Sequence, residues 1–301
     1  MQQNYRSGFI AIVGRPNVGK STLMNALIGE KIAIISDKPQ TTRNTIQCVL
    51  TKKDYQMVFV DTPGIHKPKN KLGEYMVTVA RKALLDMDAV LFVVDGADGI
   101  GTGDRHIAEI LRECRVPVLL AVNKIDKADT SKAEQDAAEL VELGGFDGML
   151  LISAVQGTHL DKLEKKLLDY LPEGPQYYPE DMVTNQPERL IISEMIREKA
   201  LLLLKEEVPH GIGVEIERIV DKPEKNMVII NASIYCEKAS HKGIIIGRGG
   251  RMLQEIGSKA RVAIENLLGT KVFLELWVKV KTDWRNDPAT LKSLGYDLKK
   301  S

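Results

Sequence analysis

The stretch GRPNVGKS, Gly14 to Ser21, decides the first half of the chain. It has the form GxxxxGK[ST], follows the apolar run FIAIV (Phe9 to Val13) and opens the helical pattern KSTLMNALIG. A glycine-rich turn between strand and helix can point successive backbone amides at one spot, and the helix dipole favours an anion there. The segment therefore reads as a phosphate loop. Its candidate binding residues are Gly14, Arg15, Pro16, Asn17, Val18, Gly19, Lys20, Ser21 and Thr22. Lys20 would neutralise β and γ phosphates, and the Ser21 hydroxyl would ligate Mg²⁺.

Outward from this loop, short β-branched runs alternate with helical patterns as far as Leu171: YQMVFVD, LGEYMVTVARKALL, DAVLFVVD, PVLLAVNK and MLLISA. Parallel strands need crossover connections and are buried on both faces, so the alternation predicts an α/β domain with a mainly parallel sheet and helices on both sides. Ligands of such sheets bind beyond the carboxyl ends of the strands, where the polar motifs fall.

Two of those motifs complete a nucleotide site. DTPG (Asp61 to Gly64) places Asp61 to hold Mg²⁺ through its water shell and the Gly64 amide to meet the γ-phosphate. NKID (Asn123 to Asp126) selects the base. Guanine presents two adjacent donors that one carboxylate can accept, whereas adenine offers an acceptor there, so Asp126 predicts guanine. A site built on paired hydrogen bonds can discriminate by about 10⁴ to 10⁵. Asn123 would fix neighbouring loops, the Lys124 stem would cover the base, and amides near Ser153 and Ala154 could donate to the guanine carbonyl.

The segment from Leu171 to Arg189 holds four prolines and reads as a linker. After it the pattern is helix (Leu190 to Glu207), strand (Ile212 to Val220), strand (Met227 to Glu237), short helix, GRGG, helix (about Met252 to Leu268) and the final strand VFLELWVKVK. GRGG, Gly247 to Gly250, sits between two helices as a GxxG loop that can clamp about four nucleotides of a single strand, and the element order is that of a type II KH domain. The candidate RNA-binding residues are Lys242, Ile246, Gly247, Arg248, Gly249, Gly250 and Arg251. Ile244, Ile245 and Ile246 are expected to be core for the most part. The domain ranges that follow are 1–172, a linker at 173–187, a KH domain at 188–285 and a tail at 286–301.

The 301 residues suit two cores, with 44% hydrophobic and 28% charged residues. No apolar run approaches the ~20 residues that span a bilayer. The N-terminus lacks the pattern of a secretory leader, and Cys48, Cys114 and Cys236 are scattered, which fits reduced thiols in the cytoplasm and argues against structural zinc. The net charge of +1 is the sum of −3 over residues 1–184 and +4 over 185–301. Residues 238–285 alone carry +6, including Lys238, Lys242, Arg248, Arg251, Lys259 and Arg261. Beside a GxxG loop this is an electrostatic footprint for nucleic acid. Trp277, Lys279, Lys281 and Trp284 would extend it, although Trp277 in an alternating strand could equally be core.

The series GRPNVGKS, QTTRN, DTPG, NKID and ISA resembles the five motifs of translation-factor-class GTPases, and PQTTRN, DTPGIHKPK and LELWVKVK extend the likeness to bacterial members that carry a C-terminal KH domain. The resemblance implies GTP binding and hydrolysis with Mg²⁺ held through Ser21, Thr42 and Asp61. It implies association with the small (30S) ribosomal subunit near the 3′ end of 16S rRNA and a role in subunit maturation; the sequence shows no heptad pattern or obvious dimer helix, and a monomer is expected. Thr41 or Thr42 of QTTRN would reach Mg²⁺ only with the γ-phosphate present, with Thr42 preferred. Lys20, Asn17, Thr42 and Gly64 would act in hydrolysis. Asn17 resembles the asparagine with which related GTPases hold K⁺. Ile65 replaces the water-positioning glutamine of Ras-like GTPases, which predicts slow intrinsic hydrolysis assisted by a partner or an ion. Three other readings compete: an ATP-using P-loop enzyme, which NKID opposes; an RNA-binding module with nucleotide as a structural ligand; and a peripheral membrane GTPase whose basic residues meet anionic lipid only weakly.

Overall fold

Full burial of alternate residues toward both faces is what makes the first half a two-sided sheet. In the computed structural model, which describes residues 5–36, 38, 41–64 and 68–297, strand β4 (Ala89–Asp95) is buried along its whole length. Ala89, Leu91 and Val93 face the helices α1 (Lys20–Ile28) and α5 (Leu160–Tyr170). Val90, Phe92 and Val94 face α2 (Lys71–Lys82), α3 (Thr102–Leu111) and α4 (Thr130–Gly144).

With β1 (Arg6–Val13), β2 (Ile46–Lys52), β3 (Tyr55–Asp61), β5 (Val118–Asn123) and β6 (Gly148–Leu151), the sheet runs β2-β3-β1-β4-β5-β6. Every pairing is parallel except β2 with β3, which follow one another through a two-residue turn and so pair antiparallel. The motifs GRPNVGKS, DTPG and NKID leave the carboxyl ends of β1, β3 and β5; β3 and β1 are neighbours in this order, and β5 lies one strand beyond β1, across β4.

The second half contains α6 (Glu188–Leu203), β7 (Gly213–Lys222), β8 (Met227–Cys236), α7 (Ala239–Ile246), α8 (Arg251–Leu268) and β9 (Lys271–Val280). β8 is central, antiparallel to β7 and parallel to β9, as a type II KH domain requires. Ile256, Ala260 and Ile264 recur every four residues on α8, forming one stripe that packs with Ile192 and Ile196 of α6 over Ile230, Ala232 and Val278 of the sheet. The opposite sheet face leaves Phe273 and Trp277 exposed.

Three features depart from the sequence expectations. The proline-rich linker is strapped to the first domain: Val49 N–H donates to Val183 O at 2.9 Å, Gly174 N–H to Tyr5 O at 3.0 Å, and the buried Gln56 side chain accepts from the amides of Tyr177 and Tyr178. The expected tail folds into α9 (Pro288–Ser293), capped by the Asp287 carboxylate, and its Leu291, with Leu294 and Tyr296, packs with Trp284 against Leu72, Tyr75 and Met76 of α2. Trp284 is consequently fully buried, its indole N–H donating to Gly211 O at 2.9 Å, and does not extend a nucleic-acid surface. Finally, of Ile244, Ile245 and Ile246 only Ile245 is buried; three successive residues of a helix point about 100° apart, so one apolar face admits only one of them fully.

Candidate nucleotide and RNA sites

A cleft of about 490 Å³ opens at the carboxyl ends of the strands. Pro16, Asn17, Gly19, Lys20, Ser21 and Thr22 line one wall, Thr41, Thr42 and Gly64 another, and Asp98, Lys124 and Lys127 the far end. Lys20 is buried, and its ammonium donates to Gly14 O at 3.0 Å and Arg15 O at 2.8 Å. Burial pushes its pKa down to about 8, against the pull of Asp61. Gly14 sits where a Cβ would lie 2.2 Å from Val93 O, and Gly64 where one would lie 2.7 Å from Pro16 N, so the DTPG turn rests directly on the phosphate loop.

Three oxygens converge beside Lys20. Ser21 Oγ donates to Asp61 Oδ2 at 2.6 Å, Thr42 Oγ1 donates to the same oxygen at 3.3 Å, and the two hydroxyls are 3.0 Å apart. Of the two threonines that the motif leaves open, only Thr42 stands here; the Thr41 hydroxyl donates to Lys38 O at 2.6 Å. Asp61 is fully buried, and its Oδ1 has no hydrogen-bond partner among the described residues. Burial pushes its carboxyl upward, while Lys20 and the bonds from Ser21, Thr42 and the Thr62 amide pull it down. A buried carboxylate with an unsatisfied oxygen, beside two hydroxyls, is a set of hard oxygen donors suited to a divalent cation such as Mg²⁺.

At the base end, Asn123 ties the motifs together: its amide donates to Val18 O at 3.0 Å and its Oδ1 accepts from Ala154 N–H at 3.0 Å. The Ser153 hydroxyl donates to Asp126 Oδ1 at 2.6 Å and orients that carboxylate. The amides of Ser153 and Ala154, expected to donate to the guanine carbonyl, are engaged within the protein, Ala154 with Asn123 and Ser153 with Thr158 O at 3.2 Å, because the ISA segment turns back on itself through a Ser153–Thr158 bridge. Lys124, in the left-handed region at φ 65°, forms an ion pair with Asp95 at the end of β4. Asp95, Asp98 and Lys127 were absent from the sequence reading; Asp95 was signalled by its place as the last residue of VLFVVD.

Neither nearby arginine points at the cleft. Arg15 Nε bonds Asp104 at 2.8 Å, and its other arm reaches Gly99 O at 3.2 Å. Arg43 is 1% exposed and turns into the second domain. Ile65 lies outside the described residues.

On the KH domain, Gly247, Gly249 and Gly250 all have positive φ, at 73°, 60° and 81°. A Cβ at Gly247 would lie 2.7 Å from Met252 Cβ, whereas at Gly249 and Gly250 it would meet open space, so those two keep the backbone approachable from outside. Lys242, Arg248 and Arg251 are exposed and form no ion pair among the described residues, and Ile246 is half-buried beside them. Lys259, Arg261, Lys279 and Arg285 are paired with Glu255, Glu265, Glu217 and Glu237. The basic footprint thus concentrates at the loop, with Lys238 before α7 also exposed and without an ion pair among the described residues. Trp277 lies on the sheet face away from the helices and is not part of it.

The family described as 50S ribosome-binding GTPase matches residues 9–124, and the KH domain family matches 207–285. GTPase Era of Alkaliphilus metalliredigens is 58% identical over 98% of this chain and all of that one; its counterpart in Clostridioides difficile is 54% identical with the same coverage. Two crystal structures match at TM-score 0.92 and 41% identity over the full length of the matched chain. One is of a variant of Aquifex aeolicus Era bound to GDP·AlF4⁻, covering 97% of this chain, and the other is of Era with MgGDPNP and nucleotides 1506–1542 of 16S ribosomal RNA, covering 98%. With a guanine-selective phosphate-loop domain joined to a GxxG domain, and relatives of this identity along nearly its whole length, the chain belongs to the Era family of GTPases.

Proposed function

We propose that this GTPase binds GTP and Mg²⁺ in the cleft, hydrolyses GTP to GDP and phosphate, and uses the nucleotide to control binding of small-subunit ribosomal RNA near the 3′ end of 16S rRNA during assembly of the 30S subunit. The convergence of Ser21, Thr42 and Asp61 beside Lys20, at the mouth of a guanine-type cleft, is the observation that carries it. Ser21 and Thr42 would hold Mg²⁺ directly and Asp61 through water; when bound, the ion neutralises charge on the β and γ phosphate oxygens. Lys20 exchanges its two backbone carbonyls for phosphate oxygens, with its ammonium positioned by burial. Gly64 presents its amide to the γ-phosphate from a turn already resting on the phosphate loop. Asp126, held by Ser153, accepts both guanine donors.

No arginine of the chain reaches the cleft among the described residues, so the remaining stabilisation comes from outside it, either from a partner or from K⁺ held at Asn17. Asn17 adopts φ 67° and lines the cleft. Equal single-turnover rates in K⁺ and Na⁺ would remove the ion from this account. The RNA assignment rests on the GRGG loop and its unpaired cations, together with the RNA held by the relative that matches both domains. The same reading takes the protein as a cytoplasmic monomer, with weak peripheral contact at the anionic inner face of the cell membrane through Lys242, Arg248 and Arg251. Crosslinking and sequencing of bound RNA, with a GTP analogue and with GDP, tests the proposal: reads should concentrate at the 16S 3′ end and depend on nucleotide. Reads scattered over messenger RNA would overturn the ribosomal part.

A further inference from the structure

The residue that completes the cation site, Thr42, belongs to the first domain in sequence but is held by the second. On one side of it, the Thr41 carbonyl accepts from the guanidinium of Arg197 on α6, which is wholly buried and braced by Glu194 through Nε at 2.8 Å. On the other side, Arg43 plunges into a socket where it donates to Ile212 O at 2.7 Å and lies 5.7 Å from the centre of the Trp284 ring. Earlier in the same loop, Ile34 is buried within the hydrophobic core of the KH domain, and Glu198 of α6 accepts from Ile35 N–H and Lys31, each at 2.9 Å.

A polar surface loop of this length has many conformations, and fixing one costs about 1–2 kcal/mol of entropy per residue. Within the first domain, the hydroxyl contacts of Thr42 to Ser21 and Asp61 and the Thr41 hydroxyl bond to Lys38 O oppose that cost near the site. The packing of Ile34 and the bonds to Ile35 N–H, the Thr41 carbonyl and the Arg43 guanidinium all come from the C-terminal half, and the two that flank Thr42 bracket its backbone by one residue on each side.

We propose that Arg197 is a positioning residue for the GTP state: by holding the Thr41 carbonyl opposite the Arg43 socket, it keeps the Thr42 hydroxyl at the cation site and so sets the discrimination between GTP and GDP. The inference rests on the reading of Thr42 as the residue that responds to the γ-phosphate. It adds that the response is supported by a side chain of the KH domain, beyond the linker on α6. Because binding free energies are reciprocal, whatever shifts α6 alters GTP affinity, and GTP alters the hold on α6 by the same factor.

The test uses the full chain with Mg²⁺ and measures affinities for GDP and for a nonhydrolysable GTP analogue, together with single-turnover hydrolysis. Arg197→Met should weaken the analogue at least tenfold and slow hydrolysis, with GDP affinity within twofold of the parent. Near-normal GDP binding also verifies that the variant is folded. Arg197→Lys, which can still donate to the Thr41 carbonyl, should recover part of the loss. If Arg197→Met does not fold, Glu198→Gln should show a smaller loss with the same selectivity for the analogue. Thr42→Ala is the reference and should show the same signature. A loss shared equally by GDP and the analogue in the Arg197 or Glu198 variants, or no loss, while Thr42→Ala remains selective, overturns the positioning role. An unselective Thr42→Ala overturns the reading on which it rests.

Discussion

The two walls of the nucleotide cleft are built differently. The phosphate-loop wall is assembled within one domain: Lys20 bonds carbonyls five and six positions before it, and Asn123 and Ser153 close the base end from two strand termini of the same sheet. The Thr42 wall depends on groups 156 to 253 positions away, in Arg197, Ile212 and Tyr296. One wall is a property of a domain and the other of the whole molecule. Substrate affinity and base choice should therefore follow the first, and the distinction between GTP and GDP the second.

The sharpest way to break this division is at the base end. Asp126→Asn should reduce the preference for GTP over ATP by on the order of a thousandfold, measured by competition, because the paired guanine donors lose their common acceptor. Kept guanine preference would mean that another group selects the base. Lys20→Ala should weaken GTP and GDP by about a hundredfold each, since a buried charge-assisted contact is lost from the wall that both nucleotides share. A loss confined to GTP would place Lys20 with the other wall. Trp284→Phe should cost about 2 kcal/mol in denaturant unfolding, because the buried Gly211 carbonyl loses its indole donor. It should weaken a GTP analogue several-fold while sparing GDP.

The smallest effect tests the charge holding the loop. Glu198 is buried, which disfavours its charged form, yet hydrogen bonds from Lys199, Ile35 N–H and Lys31 outweigh this and hold its carboxyl below the usual range. A depressed pKa means that the contribution is complete above the ordinary carboxylate value and is lost as pH falls through the lowered one. The advantage of the parent over Glu198→Gln, about 1 kcal/mol at pH 7, should shrink as the medium is acidified below pH ~4. Thermal unfolding of the two proteins along that series checks it; a constant difference would show that Glu198 holds the loop without its charge.

The same contrast explains what could be read from residue order. GRPNVGKS, DTPG and NKID are local statements at strand ends, and the sheet brings the strand ends together, so residue order alone places Ser21, Asp61 and Asp126 at the same edge of the sheet. Thr42 is preferred over Thr41 by the resemblance alone, because nothing nearby in the sequence says which hydroxyl turns inward. Nothing in the order of residues marks Arg43 as buried, and Trp284 is expected at the surface, for one reason: their partners, Ile212, Tyr296 and each other, come from segments that no periodicity connects. Residues 286–301 read as a tail because α9 is six residues long and draws its stability from α2. The GRGG loop was legible as a motif, whereas the narrowing of its basic surface depended on which cations find carboxylates across strands and helix turns.

The strap formed by residues 173–187 has a further consequence for how the halves meet. A free chain of fifteen residues would let its ends separate by about 20–25 Å in a random walk. Here Val183 and Thr184 pair with β2, and Asn185 bonds Gln47, so the tether reaches α6 almost without slack. Short tethers raise effective concentration steeply. The tether thus holds α6 at a high effective concentration beside the loop carrying Thr42, so the contacts between them form as a local encounter and cost little more than the ordering of the groups themselves.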